Sequence, residues 1–477
     1  MGDKLKKYSL LPKGSFMKDF LWYFVGSFVP LLIGFIKTPI FTRHFSREDY
    51  GSLGMITITF TFLGMFLFSW IGSCIWRYYG KYQKDNALGT LYANLIFLYF
   101  ISFLVLAAIS GIWFVLTSDE LLQQLIFYSF LQLMFNQLFL FYMVVVRLMG
   151  RARFYTLVHS LRSVAGLAIA LYLVFWQQMN ISALIISLVC VDAILLLLLL
   201  LFNPAGVAIP YLKPERKVIS ELLQYGSLGL VLNVSLLAIT YSDRYVIALF
   251  HDLGSVGIYD QVYKISQLSV MGLITVFFNT INPKLLKVLE LDFKGASHLI
   301  RKYIFSFAIF GVPFVFYMSL FSQEIATLLL GEEFREGYVL MPFIFAATFL
   351  HGISNFFELR LKFSNKLKRL GLIAVSTAVL NIVMNLIFVG LFGYQWAAYT
   401  TLLSYILMIL FFYYDDREVL KGLGHYRKEF LRLAGLLTMQ YLIYKVFVDK
   451  FGIQPVLSVG IGLIFVMMFI FTFRKTI

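Results

Sequence analysis

The sequence predicts an all-α polytopic membrane protein. Three observations predict it: fourteen long apolar stretches, Lys and Arg gathered in every second gap between them, and no gap long enough to hold a soluble domain. A helix crosses the hydrocarbon core with about 20 apolar residues, and stretches of that kind recur along the whole chain. By hydropathy the first seven run near Phe20–Ile36, Leu53–Trp76, Leu88–Leu116, Leu122–Val146, Thr156–Trp176, Ile181–Phe202 and Leu222–Ile247. The second seven run near Ile258–Thr280, Tyr303–Phe321, Tyr338–Phe357, Leu370–Phe392, Tyr394–Tyr413, Leu431–Val448 and Val456–Phe473.

Orientation follows from the basic residues. Lys4, Lys6, Lys7, Lys13 and Lys18 precede the first stretch, and Arg77, Lys81 and Lys84 follow the second. Arg147, Arg151 and Arg153 follow the fourth, and Lys213, Arg216 and Lys217 the sixth. The same alternation continues to Arg474 and Lys475, so that 31 of the 40 Lys and Arg fall on one face. The positive-inside rule assigns that face to the cytoplasm, with both termini on it, which an even number of spans requires. The expected location is a membrane, with this face inward.

The net charge of +15 sits in short juxtamembrane loops, where anionic headgroups attract it. It therefore reads as membrane-surface charge and not as a nucleic-acid footprint. Cys74 and Cys190 both lie inside spans and make no disulfide framework. There is no GxxxxGK[ST] loop to cradle a nucleotide, no HExxH and no GxSxG, and the six His are scattered without ligand spacing. No enzyme chemistry, cofactor or metal is expected. A membrane-embedded polymerase or acyltransferase is disfavoured because the outer loops are too short for a catalytic loop.

The longest gaps are inner. The one over Asn203–Glu221, with Pro204, Pro210 and Pro214, is the natural boundary between two six-helix halves, which puts residues 1–202 in one lobe and 203–430 in the other. Residues 431–477 form a two-helix appendix. An internal echo agrees with the division. Pro39-x3-Arg43-x7-Gly51 follows the first span, and Asp243-Arg244-x12-Gly257 runs through the end of the seventh. Such repeats are common in secondary transporters, whose site lies between the halves.

Ionisable groups at membrane depth are costly and mark function by default. Two carboxylates count as lying inside spans, Asp192 and Asp243. Asp192 reads equally as a helix–helix contact to Ser, Thr or Asn and as an ion-coupling group. Arg162 either snorkels to the headgroups or lines a cavity. Towards the outer side lie Lys37, Asp243, Arg244 and Lys264. Neighbours on a helix diverge by about 100°, so Asp243 and Arg244 are expected to need separate partners, with Lys264 serving Asp243. Three cations against one carboxylate then leave a cationic surplus. Pro30 and Pro39 mark a hinge in the first span, whereas Pro313 and Pro342 read as packing kinks. Gln132, Asn136, Gln137, Asn233, Asn381 and Asn385 read as polar glue between helices.

Two segments and one helix end then carry a resemblance. They are TPIFTRHFSREDYGSLG (Thr38–Gly54), SDRYVIALFHDLGSVGIYDQVYKI (Ser242–Ile265) and Trp76-Arg77-Tyr78-Tyr79. With helix number and loop lengths, they resemble the polysaccharide transport family, Wzx-type lipid-linked oligosaccharide flippases, of the multidrug/oligosaccharidyl-lipid/polysaccharide exporter superfamily. The resemblance implies two six-helix lobes around a central cavity open to alternate faces, plus two C-terminal helices that offer a groove to a polyprenyl tail. It implies a polyprenyl-pyrophosphate-linked oligosaccharide as cargo, for O-antigen or capsule synthesis. The cationic residues proposed for the pyrophosphate are Lys37, Arg43, Arg162, Arg244 and Lys264, of which Arg43, Arg244 and Lys264 fall in the matching segments. Asp192 and Asp243 are the candidates for coupling to a proton or sodium counter-ion. Membrane lipids and polysaccharide-assembly proteins complete the expected partners. The rival within the same superfamily is a drug–cation antiporter, which would call for a carboxylate-rich cavity.

Overall fold

Every regular element among the described residues of the computed structural model is a helix. The structure describes residues 13–451, apart from 205, 207–213, 292, 365, 416 and 418–426. The fourteenth predicted span lies outside the described residues. Helix α1 (Lys13–Thr42) contains the first span. It is followed by α2 (Arg47–Lys84), α3 (Leu88–Leu116), α4 (Glu120–Leu148), α5 (Ala152–Trp176), α6 (Ala183–Phe202) and α7 (Arg216–Phe250). Helix α8 starts at Leu253 and reaches Leu291, and α9 covers Phe293–Leu320. A short helix α10 (Ser322–Leu329) and a 3-10 segment (Glu332–Leu340) lead into α11 (Met341–Phe363). Helices α12 (Leu367–Phe392), α13 (Trp396–Asp415) and α14 (Arg427–Phe451) complete the described chain.

Eleven of these segments are long and apolar enough to cross a membrane, and the protein is a multi-pass membrane protein. Their outward faces are apolar: Val115, Leu116, Phe202 and Leu391 are all more than two-thirds exposed. Water would penalise such surface, but lipid tails do not. With lipid as solvent every backbone polar group must be bonded within its own segment, which helices do and open strands cannot.

The helix ends follow local chemistry. Asp119 caps α4 by accepting from the Leu122 N–H at 2.8 Å, and Asp252 caps α8 by accepting from the Ser255 N–H at 2.6 Å. That cap, together with the burial of Val256, Gly257 and Ile258, starts the eighth helix five residues before the hydropathy boundary at Ile258. Bonding to the Ser255 backbone holds the Asp252 carboxyl below the usual carboxylate range. Pro342, expected to kink a span, lies instead in the first turn of α11, where its missing N–H costs no helical bond. Pro313 is inside α9, and Pro30 and Pro39 lie within α1. Three wide π-helical turns interrupt the ladders at Met65–Ser69, Tyr172–Trp176 and Gln267–Met271.

The described chain forms two compact units. The first comprises residues through Lys37 together with Ser52–Val234. The second comprises Thr38–Gly51 and the residues from Ser235 onward. The short connection after the first helix therefore belongs to the second unit. In that unit, polar side chains bond helix to helix as expected for Asn381 and Asn385. Asn381 of α12 donates to Ser404 Oγ of α13 (3.0 Å), and Thr400 of α13 donates its hydroxyl to Asn385 Oδ1.

Candidate functional site

Charged residues singled out by the sequence gather in two clusters on membrane-spanning helices, one in each unit. In the first unit Asp192 is fully buried on α6. Arg162 of α5 grips it with both arms, Nε on Oδ1 and Nη2 on Oδ2 at 2.8 Å, while Asn136 of α4 donates to Oδ2 at 3.3 Å. A bidentate guanidinium–carboxylate pair is the strong form of this contact, and at depth each ion needs the other. Arg162 does not reach for the headgroups. It turns inward, packed over the Phe139 ring at 5.5 Å.

The second cluster is built on α7 and α8. Arg244 is 1% exposed and is the largest fully buried side chain among the described residues. Its Nη1 donates to Asp243 Oδ1 (2.7 Å) and to the Thr240 carbonyl (2.5 Å), and its Nε lies 3.6 Å from Asp260 Oδ1. The expectation that Asp243 and Arg244 cannot pair is wrong. Their Cα–Cβ directions diverge, but the long arginine stem folds back along the helix and brings the guanidinium to its neighbour. Tyr259 donates its hydroxyl to Asp243 Oδ2 at 2.6 Å. The guanidinium carbon sits 4.0 Å from the Tyr263 ring centre, with Tyr259 and Tyr241 at 4.9 and 5.3 Å. Aromatic faces stabilise a desolvated cation.

Lys264 does not serve Asp243 either. Its ammonium pairs with Asp260, 2.8 Å away and one turn back on α8, and lies 5.8 Å from the Tyr50 ring centre. The cluster thus holds Arg244 and Lys264 against Asp243 and Asp260. The expected cationic surplus is absent from it. Asp260 is the residue that sequence reasoning missed. It sits at the very edge of the predicted span Ile258–Thr280, and the Asp252 cap, by starting α8 at Leu253, places it two turns inside the helix. The signal was the Asp260-x3-Lys264 spacing, which sets opposite charges on one helix face. Lys264 is the accessible member, with 39% of its side chain exposed against 5% for Asp260.

Arg43 and Lys37 have different surroundings. Arg43 is exposed, and its guanidinium donates to the Leu328 carbonyl at 2.9 Å, at the end of α10. Lys37 is half-buried near the end of α1, at the last residue of the first unit before the chain passes to the second.

The two sequence segments that carried the resemblance meet in the second unit. Gly51 approaches so closely that a Cβ on it would lie 1.9 Å from the Leu253 carbonyl oxygen. A Cβ on Gly257 would lie 2.0 Å from the Arg47 carbonyl oxygen and 3.0 Å from Gly51 N. Gly331 donates its N–H to Thr42 Oγ1 at 2.9 Å, and the Arg47 N–H reaches Glu333 at 3.0 Å. Tyr50 meets Phe334 edge to face. Only glycine permits backbones this close. The internal echo of Gly51 and Gly257 is therefore a contact between the echoing pieces.

Residues 16–288 match the family described as polysaccharide biosynthesis protein, more than half of the 477 residues. The chain belongs to that family. This polysaccharide biosynthesis family member has the fold of the MOP superfamily transporters. It is similar to "Lipid II flippase MurJ, inward closed conformation", with a TM-score of 0.72, 15% identity, and 96% of this chain and 99% of that chain covered. It is also similar to an inward-facing multidrug resistance MATE family transporter of the MOP superfamily, with a TM-score of 0.61, 13% identity, and coverage of 83% and 94%. The MATE multidrug transporter DinF-BH gives a TM-score of 0.58, 19% identity, and coverage of 86% and 97%. No curated protein matches the chain by sequence.

Proposed function

We propose that the protein is a flippase that moves a polyprenyl-pyrophosphate-linked oligosaccharide across the bacterial cytoplasmic membrane for surface polysaccharide synthesis. The observation that carries the reading is the extent of the family match. Residues 16–288 contain every charged candidate: Lys37, Arg43, Arg162, Asp192, Asp243, Arg244 and Lys264. A pyrophosphate cannot cross hydrocarbon without partners, because an unpaired charge is very costly there. Within the second unit Lys264 is the cation placed to receive it, being half-exposed and held by one carboxylate. An incoming anion would take over the ammonium and leave Asp260 to Arg244, so charge is exchanged and never stranded. Proton or sodium coupling is assigned to Asp192 and Asp243, each of which shares its charge with an arginine.

The cation-antiporter reading is favoured by one observation. Four buried carboxylates, Asp192, Asp243, Asp260 and Glu358, lie on membrane-spanning helices, and the sequence had suggested two. Deleting the gene separates the two readings. The flippase reading expects surface polysaccharide to be lost and lipid-linked oligosaccharide to accumulate on the inner leaflet. Normal polysaccharide with raised sensitivity to cationic drugs would replace it with the antiporter.

On this reading the Lys- and Arg-rich face is cytoplasmic, with both termini on it, as the positive-inside rule would have it. A reporter active only in the cytoplasm is expected to work when fused after Lys217 or at the C-terminus, and to be silent after Asn180. Activity after Asn180 would reverse this orientation.

A further inference from the structure

The first unit contains a cavity of about 590 Å³, separate in character from the charge clusters. We propose that it is a saccharide subsite, which takes the uncharged sugar portion of the cargo; the proposal rests on the flippase reading above.

The lining supports a neutral, hydroxyl-rich ligand. One wall is a stripe on α4, where Ser129, Gln132, Asn136 and Gln137 recur at helical spacing and all face the cavity. Polar side chains ranged along one helix face at membrane depth are costly against lipid tails, so such a face lines a hydrated space or meets a polar ligand. Opposite it, α2 supplies Thr61 and Ser69. These two hydroxyls donate to the carbonyls of Thr57 (2.8 Å) and Met65 (2.6 Å), which leaves their oxygen lone pairs as acceptors. The carboxamides of Gln132 and Gln137 add both donors and acceptors. A sugar hydroxyl is itself donor and acceptor at once, and a mixed lining satisfies it in either role.

The rest of the lining is apolar, with Phe60, Phe68, Tyr99 and Phe141 set among aliphatic side chains such as Leu133, Leu140 and Ile185. Ring faces suit the C–H faces of pyranose rings, and the combination of apolar walls with a few placed polar groups is that of small-molecule sites of about 300–1,000 Å³. No lining residue is charged, which argues against the pyrophosphate or a cation as occupant. The π-helical turn Met65–Ser69 belongs to this wall, and such turns often mark functional positions. Asn136 joins the cavity to the ion pair, since it lines the one and hydrogen-bonds Asp192 in the other at 3.3 Å. Occupancy by sugar is thereby within one side chain of the Arg162–Asp192 pair.

Gly72 supplies the test. It lines the cavity, and a Cβ added to it meets nothing within 4 Å, so a large side chain can grow into the open space. Gly72→Trp should lower surface polysaccharide while protein level holds. Gly80→Trp, on the same helix and also in open space, should leave it unchanged. Gln132→Leu and Gln137→Leu should each lower export by about tenfold, the effect of one hydrogen bond to the sugar lost. The direct readout is photo-crosslinking in cells. A benzophenone amino acid at Thr61 should become attached to material that stains for glycan after periodate oxidation. The same group at Leu104, which is 53% exposed on α3, should capture glycan-free lipid. Thr61 crosslinks without glycan, together with normal export by the Gln variants, would overturn the subsite. If Gly72→Trp does not accumulate, the Thr61 crosslink and the Gln variants decide alone. Loss of the flippase reading is distinguishable, because it shows as normal polysaccharide in the deletion strain itself.

Discussion

Arg244→Ala is expected to lower the amount of folded protein sharply and to reduce the thermal stability of the detergent-solubilised chain. The guanidinium is buried among Asp243, Asp260 and three tyrosines. Removing it leaves Asp243 with the Tyr259 hydroxyl and Asp260 with a half-exposed lysine. Breaking a buried pair by deleting one partner typically costs about 3–5 kcal/mol, because the other charge remains without compensation. That cost is comparable with the whole stability of many domains. Arg244→Lys should recover part of the loss, since an ammonium keeps the charge but cannot serve two carboxylates with a planar fork. Asp243→Asn combined with Arg244→Gln should be less damaging than the sum of the single changes, because the two act on one contact. The measurements are steady-state level and unfolding temperature. If Arg244→Ala accumulates and melts like the wild type yet exports nothing, Arg244 meets cargo directly and its burial is not the state that matters.

Gly257→Val is expected to be as damaging, for a different reason. A Cβ at Gly257 would lie 2.0 Å from the Arg47 carbonyl oxygen, and the obstacle is backbone, which cannot rotate aside as a side chain can. Overpacking a well-fitted core commonly costs about 1–3 kcal/mol, and this case lies at or beyond the upper end because two helix starts must separate. The consequence would spread to Gly51 N, 3.0 Å from the same point. The control is Gly80→Ala. There a Cβ meets nothing within 4 Å, and alanine favours helix over glycine by about 1 kcal/mol, so stability should hold or rise slightly. Normal levels of Gly257→Val would mean that α2 and α8 can part without cost. Limited proteolysis of the segment joining α1 to α2 would then be unchanged as well.

Much of this architecture was legible in hydropathy. The third span was placed residue for residue at Leu88–Leu116, because lipid imposes a length and a composition that few other constraints disturb. Charge partners were less legible. Arg162 and Asp192 were each marked as exceptional, but nothing in a linear sequence sets α5 against α6 with Asn136 beside them. Asp260 was missed because hydropathy averages over a window and loses a single carboxylate beside Tyr259, Gln261 and Tyr263. The Asp260–Lys264 spacing lay within the predicted span, and the capping residue Asp252 would have shown that Asp260 is two turns into the helix and not at its end. The error over Asp243 and Arg244 came from treating side chains as directions. Backbone geometry sets where a side chain leaves the helix, whereas an arginine's end point depends on what waits along its path.

The passage of Thr38–Gly51 into the second unit has a consequence in time. This stretch leaves the ribosome about 200 residues before its partner Leu253 exists, which at about 5–20 residues per second is an interval on the order of 10–40 seconds. Throughout it, glycine-bared backbone that ends up pressed against α8 must be kept from other bonds. The second unit is therefore assembled around a piece synthesised long before the rest. A chain severed anywhere between α2 and α7 would need that early piece delivered from a separate molecule.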